Sequence, residues 1–208
     1  MKTFAKALFA ICILGCFAFA KTSITSTKET VKIVIDAGHG GKDSGQNIKG
    51  IKEKEVVYQI TQKIKELHQN KNVELYFSRP NNEFVSLDER VEFINTIQPD
   101  LVISLHTNGH PQFEEKNGTE IFISKNNSFK DKNYELASKL ASHLAIQPNS
   151  LGKVSIKNAN FKIIRESKAP AMLIEVGFLT NEKERKFLNS SEGQTEVANL
   201  ILKFLDQV

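Results

Sequence analysis

Two histidines and several glutamates of this 208-residue chain stand where they could bind a metal ion or transfer a proton. His39 lies in a glycine-rich segment, residues 33–45 (IVIDAGHGGKDSG), and His106 ends a second apolar run, LVISLH. Catalytic zinc binds three side chains, drawn from histidines and acidic residues, and keeps one position for water. Each histidine could instead cap its strand through hydrogen bonds alone. Two histidines at matching positions favour a shared metal.

Three glutamates are candidates for the acidic ligand or the proton-transfer group, and the sequence distinguishes only one of them clearly. Glu53 and Glu55 both stand at the start of a predicted helix, in GIKEKEVV, where acidic residues also favour the helix dipole. The residues alone do not choose between these two. Glu175 lies inside an otherwise apolar strand, MLIEVGF, where an unpaired carboxylate is costly. It is either a structural ion pair, for example with Arg165, or a general base beside a metal-bound water.

The glycine-rich segment does not match the known phosphate-binding loops. A Walker loop needs G-x-x-x-x-G-K-[ST], but Asp43 follows Gly41 and Lys42, and Asp36 stands where the first glycine should be. The dinucleotide pattern G-x-G-x-x-G fails because Asp43 takes the place of its third glycine. The remaining histidines, which we assign to helix surfaces or loops, are His68, His110 and His143. A metal site therefore remains the better hypothesis for His39.

Alternating apolar runs and amphipathic stretches predict the elements that position these residues. We predict strands at residues 31–36, 73–78, 101–106, 119–124 and 171–178, helices at 53–69, 86–97, 133–144 and 192–205, and a short extended piece near 161–165. This order is typical of an α/β fold: a central, mostly parallel sheet with helices on both faces, in a single domain. Ligands of such sheets bind at the carboxyl ends of the strands, where His39, His106 and Glu175 fall.

The first 20 residues are predicted to be a signal peptide. Lys2 and Lys6 form a basic head, residues 7–19 are almost continuously apolar, and the segment ends in the small-x-small pattern of a cleavage site. The apolar run is shorter than the roughly 20 residues that span a bilayer. An alternative interpretation is a lipobox that leaves Cys16 lipidated at the membrane. Either interpretation predicts export to the periplasm, the cell envelope or the medium.

The remainder of the chain is predicted to be a short polar tether, residues 21–30, and a catalytic domain, residues 31–208. Both cysteines, Cys12 and Cys16, lie in the N-terminal segment, so a cleaved chain has neither disulfides nor cysteine zinc ligands. The formal net charge of +4 is small, and no basic stripe with interleaved aromatic residues occurs. We therefore expect no nucleic-acid partner.

Six segments resemble the zinc-dependent N-acetylmuramoyl-L-alanine amidase family, which contains bacterial cell-separation and sporulation amidases. In chain order they are IVIDAGHGGKDSG, GIKEKEV, FSRPNNEFVSLDERVEFIN, PDLVISLHTN, NANFKIIRE and PAMLIEVGFLTN. Their order and spacing match as well as their content. The resemblance implies that His39, Glu53 and His106 bind Zn²⁺, which selects Glu53 over its acidic neighbour, and that Glu175 is the catalytic glutamate. The family fold agrees with the α/β fold predicted from the residues.

The resemblance also implies an activity, namely hydrolysis of the amide between the lactyl group of N-acetylmuramic acid and the L-alanine of the stem peptide. Peptidoglycan would be the substrate and the chain would act as a monomer. Arg165 could hold a substrate carboxylate or the tetrahedral intermediate. Some relatives insert a long helix after the second histidine's strand that blocks the zinc. About sixty residues separate His106 from PAMLIEV, so we expect an open site without that helix.

Two other functions compete with the amidase hypothesis. The chain could be a different zinc hydrolase of exported substrates, such as a peptidase or deacetylase, although the peptidase pattern H-E-x-x-H is absent. It could also be a wall-binding or regulatory protein with an amidase-like fold and no turnover. The presence of all four candidate residues weighs against a decayed site.

Overall fold

The computed structural model describes residues 30–145 and 152–208. Within these ranges six strands form a central sheet in the order β4-β1-β5-β8-β6-β7. The strands are β1 Val31–Ala37, β4 Val73–Phe77, β5 Leu101–Asn108, β6 Thr119–Ile123, β7 Val154–Asn158 and β8 Ala171–Phe178, and a separate hairpin consists of β2 Asn47–Ile48 and β3 Ile51–Lys52. The signal peptide predicted for residues 1–20, and all but the last residue of the predicted tether, lie outside the described residues.

The helices of the described residues are α1 Glu53–Leu67, α2 Leu87–Ile97, α3 Lys130–Ala145, α4 Lys162–Glu166, α5 Glu182–Leu188 and α6 Ser191–Leu205. Helix α2 begins with a capping box, in which the hydroxyl of Ser86 accepts from the backbone N–H of Glu89 and the Glu89 carboxylate accepts from that of Ser86. No helix in the described part of the chain is long and apolar enough to cross a membrane.

The sheet is mostly parallel, as the alternation of strands and helices predicts. Strand β1 pairs in parallel with β4 and β5, β5 pairs in parallel with β8, and only the β6–β8 pairing is antiparallel among the named strands of this sheet. The carboxyl ends of β1, β5 and β8 therefore lie side by side at one edge. This edge carries the candidate residues.

Helices cover both faces of the sheet, but unequally. Helices α1, α3 and α6 pack together on one face, over a large apolar cluster that includes Ile33, Ile103 and Ile174. Helices α2 and α4 pack on the opposite face over a smaller cluster that includes Val34 and Val102. Because successive strand residues point to opposite faces, neighbouring residues of one strand serve the two clusters.

The extended piece predicted near residues 161–165 is wrong, because this segment forms helix α4. A short apolar run does not distinguish a strand from a buried helical turn by periodicity. The helical turn buries Ile163 and Ile164 in the smaller cluster under α2. Strand β7, helix α5 and the β2–β3 hairpin were not predicted, since each is too short or too exposed to show a clear apolar period.

Candidate active site

The structure brings His39, Glu53 and His106 together at the carboxyl edge of the sheet. His39 follows β1, His106 lies near the end of β5, and Glu53 is the first residue of α1. Oε1 of Glu53 lies 2.9 Å from Nδ1 of His106, and its Oε2 lies 3.2 Å from Nε2 of His39. Glu55 is not part of this group, because its carboxylate is half exposed and pairs with Lys52 at 3.5 Å.

This donor set fits a zinc ion. Ligand atoms of the three residues all lie within 4.8 Å of one another. Tetrahedral zinc with bonds of roughly 2.0–2.2 Å separates its donor atoms by about 3.3–3.6 Å. The two observed separations from Glu53, 2.9 and 3.2 Å, are slightly shorter, so a small outward movement of the side chains would admit the ion. Two imidazoles and one carboxylate also match the ligand types of catalytic zinc sites.

The charges of His39, His106 and Glu53 shift the pKa values of one another. Burial alone would lower the pKa of His39, but the hydrogen bonds and negative charges of Glu53 and Asp43 outweigh it and raise the pKa to about 9. Burial also lowers the pKa of His106, but the hydrogen bond and the negative charge of Glu53 outweigh it, so the pKa of His106 is raised overall. Burial would raise the pKa of Glu53, but the two histidines hold it well below its ordinary value of 4.5. The carboxylate is therefore ionised and favours a cationic partner.

Asp43 completes the environment of His39 and was not among the predicted site residues. Its Oδ2 lies 2.8 Å from Nδ1 of His39, and its Oδ1 accepts from the backbone N–H of Gly45 at 3.0 Å. A carboxylate at Nδ1 keeps the proton there and leaves Nε2, which faces Glu53, free to bind a metal. An acid four residues after a candidate histidine in a tight glycine-rich loop was the available signal in the sequence.

Glycines of the loop leave room for the ligand side chains. A Cβ atom at Gly38 would lie 2.3 Å from Cε1 of His106, and one at Gly45 would lie 2.4 Å from Oε2 of Glu53. His39 itself has a φ of 60°, in the left-handed region that non-glycine residues rarely adopt. The tight turn therefore directs the imidazole into the site, and flanking residues without side chains allow the close approach.

A buried arginine forms hydrogen bonds to the backbone of the loop that carries His39. Arg90, on α2, donates to Oδ1 of Asp36 at 2.7 Å and to the carbonyl of Ala37 at 2.6 Å, and it also donates to the carbonyl of His39. Asp36 accepts further hydrogen bonds from the hydroxyls of Ser78 and Ser104. Burial would raise the pKa of Asp36, but Arg90 and the two hydroxyls hold it below its ordinary value.

A second buried arginine supports the same backbone. Arg79 has no exposed surface and donates to the carbonyls of Ala37 and Gly38 at 3.1 and 3.2 Å, and to that of Lys54 at 3.1 Å. Its guanidinium also lies 5.2 Å from the ring of Tyr58. The loop that carries His39 is thus fixed by two arginines, neither of which was among the predicted site residues.

Glu175 lies on β8, opposite His106 in the β5–β8 register. Its Oε2 is buried and has no hydrogen-bond partner among the described residues. Burial raises the pKa of Glu175 to about 7, against the opposing effect of His106. The alternative interpretation, a structural ion pair between Glu175 and Arg165, is wrong. Arg165 instead donates to the carbonyl of Asn160 and to Glu166. A half-buried carboxylate with one buried oxygen that lacks a partner, next to a candidate metal site, is typical of a general base.

The four candidate residues line one cleft of about 740 Å³. One wall of the cleft contains Leu87, the first residue of α2, together with Phe84, which precedes α2, and Phe161, which precedes α4. Arg165 does not line the cleft. Among the described residues between 109 and 160, none lines it either.

Three side chains that could hold a metal ion, together with a carboxylate oxygen that lacks a partner, lie at the carboxyl edge of this α/β sheet. Such an arrangement is typical of the class of metal-dependent hydrolases. Comparison with known proteins narrows this class. The sequence model of the N-acetylmuramoyl-L-alanine amidase family matches residues 33–207. That range includes the whole sheet except the first strand's two initial residues.

Individual relatives agree with the family match. The uncharacterized protein YqiI of Bacillus subtilis (strain 168) is 31% identical over 176 residues, covering 84% of this chain and 82% of that protein. N-acetylmuramoyl-L-alanine amidase LytC of the same strain is 31% identical over 174 residues, covering 81% of this chain but 34% of LytC. The solved structure of N-acetylmuramoyl-L-alanine amidase AmiC2 of Nostoc punctiforme has a TM-score of 0.78 at 27% identity, covering 86% of this chain and 96% of that chain.

The chain belongs to the N-acetylmuramoyl-L-alanine amidase family. Membership and the likeness to AmiC2 confirm the predicted α/β fold and support an amidase activity on peptidoglycan. The match to LytC is of similar length, but this chain spans only about one third of that longer relative.

Proposed function

We propose that this protein is an exported, zinc-dependent amidase that cleaves the amide between the lactyl group of N-acetylmuramic acid and the L-alanine of the stem peptide. The observation that carries the proposal is the cluster of His39, Glu53 and His106, with the unpartnered Oε2 of Glu175 in the same cleft. Family membership identifies the bond.

Zinc would be held by the two histidines and Glu53. When bound, it supplies Lewis-acid polarisation of a carbonyl and lowers the pKa of a water molecule toward neutrality. Asp43 orients His39 through its hydrogen bond to Nδ1. Arg90 holds the backbone carbonyl of His39, so the imidazole keeps one position.

Glu175 would transfer the proton. With a pKa raised to about 7, its carboxylate is ionised in a large fraction of molecules at neutral pH, yet basic enough to accept a proton from the attacking water. The same group, once protonated, donates to the nitrogen of the leaving L-alanine. Its Oε2 makes no competing hydrogen bond to a described residue, so the proton has a free site.

Export is the part of the proposal that the N-terminal sequence supports. Residues 1–20 match a signal peptide and residues 21–30 a polar tether, with lipidation at Cys16 as the alternative. Peptidoglycan lies outside the cytoplasmic membrane, so an exported enzyme meets its substrate. Mass spectrometry of the mature protein distinguishes a chain beginning at Lys21 from one with a lipid-modified Cys16.

Digestion of purified peptidoglycan tests the activity. The protein loaded with zinc should release stem peptides that begin with L-alanine, as identified by mass spectrometry. Glu175→Gln should lose this release while it retains one zinc per chain in metal analysis. Release of shortened peptides or of cut glycan strands, or no products at all, would reject the proposed function.

A further inference from the structure

We propose that the apolar wall of the cleft, formed by Phe84, Leu87 and Phe161, binds the N-acetylated sugar rings of the glycan strand. We refer to these three side chains as the sugar wall. The inference rests on the proposed function and specifies which part of peptidoglycan lies on the α2/α4 side of the site.

The sugar wall consists of large apolar side chains that remain in contact with solvent. Phe84 is 45% exposed, Leu87 is 52% exposed and Phe161 is 43% exposed. They are three of only seven large apolar residues that are exposed in the described part of the chain, and all three line the cleft with the candidate catalytic residues. Exposed apolar residues without a function are usually scattered singly over a protein surface. Three of them together in the cleft of the candidate catalytic residues therefore indicate contact with a ligand.

The aromatic rings are held in place before any ligand arrives. The backbone of Phe84 packs so closely on Gly41 that a Cβ atom there would lie 2.5 Å from the Phe84 nitrogen. Nζ of Lys42 lies 4.6 Å from the centre of the Phe84 ring. Phe161 meets Phe122 edge to face, with 5.3 Å between ring centres. These contacts link the wall to the His39 loop and to the sheet.

The charges of the cleft favour a neutral occupant on this wall. Acetylated sugars of an uncut strand are uncharged, whereas the stem peptide carries free carboxylates. Among the described lining residues, the lysines and arginines are Arg90 and Lys162. Arg90 donates to Asp36 and backbone carbonyls, and Lys162 forms an ion pair with Asp88. Both lining cations thus already have partners, and the third cation near this wall, Lys42, places its Nζ over the Phe84 ring.

A pyranose ring fits this surface chemically. One face of the ring presents C–H groups, which gain free energy when they cover exposed aromatic carbon. The ring's hydroxyl groups can donate to Asp88, whose side chain is 83% exposed and follows Leu87 directly. Since the scissile carbonyl must reach the metal-binding residues, the stem peptide then leaves along the part of the cleft lined by Gln46 and Asn108.

Two substrates that differ only in the sugar test this assignment. One is a disaccharide tetrapeptide, and the other is the same tetrapeptide carrying an N-terminal lactyl group without a sugar. Phe161→Ala and Phe84→Ala should each raise KM for the disaccharide substrate by about fivefold, the loss of one aromatic contact. Their kcat/KM on the sugar-free substrate should match that of the wild type. Tyr134→Ala, which removes a 60% exposed ring on α3, is the matched control and should change neither.

Equal losses on both substrates, or no loss on either, would overturn the sugar wall. If the wild type cleaves neither substrate, the proposed function fails, and the wall is then tested by binding alone. In that arm, calorimetry measures the binding of an uncharged N-acetylglucosamine oligomer to Glu175→Gln, with and without Phe161→Ala. Binding that survives the loss of Phe161 rejects the wall, and binding that requires it supports the wall independently of turnover.

Discussion

The two faces of the central sheet are built from the same strands but are stabilised differently. On the face under α1, α3 and α6, successive inward residues are apolar throughout, as in Leu101, Ile103 and Leu105 of β5. On the face under α2 and α4, the same strand runs from Val102 through Ser104 to His106. The second face becomes polar toward the carboxyl edge.

All three central strands show this change. Val34 is followed on the same face by Asp36 in β1, and Leu173 is followed by Glu175 in β8. Among the described residues, the apolar cluster of the first face contains 28 buried residues and that of the second contains 8. The first face thus contributes most of the hydrophobic stabilisation, which leaves the second free to place costly polar groups beside the cleft.

The largest effect is expected from Arg90→Met, which removes the cation from the polar face. Asp36 would remain buried without its partner, so the free energy of unfolding should fall by about 3–5 kcal/mol. Metal affinity should also fall, because the His39 carbonyl loses its donor. Denaturant unfolding and metal titration measure the two quantities. Ile94→Ala on the same helix is the control and should lose stability only.

If the buried charge of Asp36 causes the loss, adding Asp36→Asn to Arg90→Met should recover part of the stability but not the metal affinity. A double variant no more stable than Arg90→Met would contradict this explanation.

Neighbouring residues of β8 give a direct contrast between the faces. Ile174→Ala should reduce the free energy of unfolding by about 2–5 kcal/mol, since it opens a cavity in the larger cluster. The kcat of the folded protein and its metal content should stay at wild-type values, unlike the metal affinity of Arg90→Met. A tenfold loss of kcat in folded Ile174→Ala would show that the two faces are not functionally separate.

Asp43 should act on the metal rather than on the fold. Asp43→Ala is expected to weaken zinc binding by about 10–100-fold, because His39 loses the acceptor at Nδ1. Thermal stability of the metal-free protein should change little, since this side chain is 47% exposed. Competition with a chromogenic chelator measures the affinity. Asp43→Asn should restore part of it, and Glu55→Ala serves as the exposed acidic control.

The smallest effect is a pH dependence of stability from Glu175. Its pKa rises from an ordinary value of 4.5 to about 7 on folding, so its contribution to stability is fully present below pH 4.5 and is lost as the pH passes 7. Metal-free Glu175→Gln should therefore gain in Tm relative to metal-free wild type between pH 5 and pH 8. If the difference in Tm between Glu175→Gln and wild type stays constant across this range, burial does not raise the pKa of Glu175.

Much of the fold was predictable because period and composition agreed. The strands at VKIVID, LVISLH and AMLIEVGF are rich in branched apolar residues, and the helix beginning at Ser86 carries its own capping box. The segment at residues 161–165 was mispredicted because its apolar residues suit either conformation. Asp43, Arg79 and Arg90 were missed as site residues, since charged residues usually lie at the surface and show a role in a site only through their partners.

The sequence by itself determined that His39, His106 and Glu175 stand at the ends of apolar strands, because alternating burial and turn residues are local properties. It also carried the family motifs. Those motifs selected Glu53 over Glu55. Only the tertiary structure decided which acid orients His39 and which arginines hold the loop. Those relations join residues as far apart as Asp36 and Arg90, and their contact depends on strand order and helix packing that no single segment specifies.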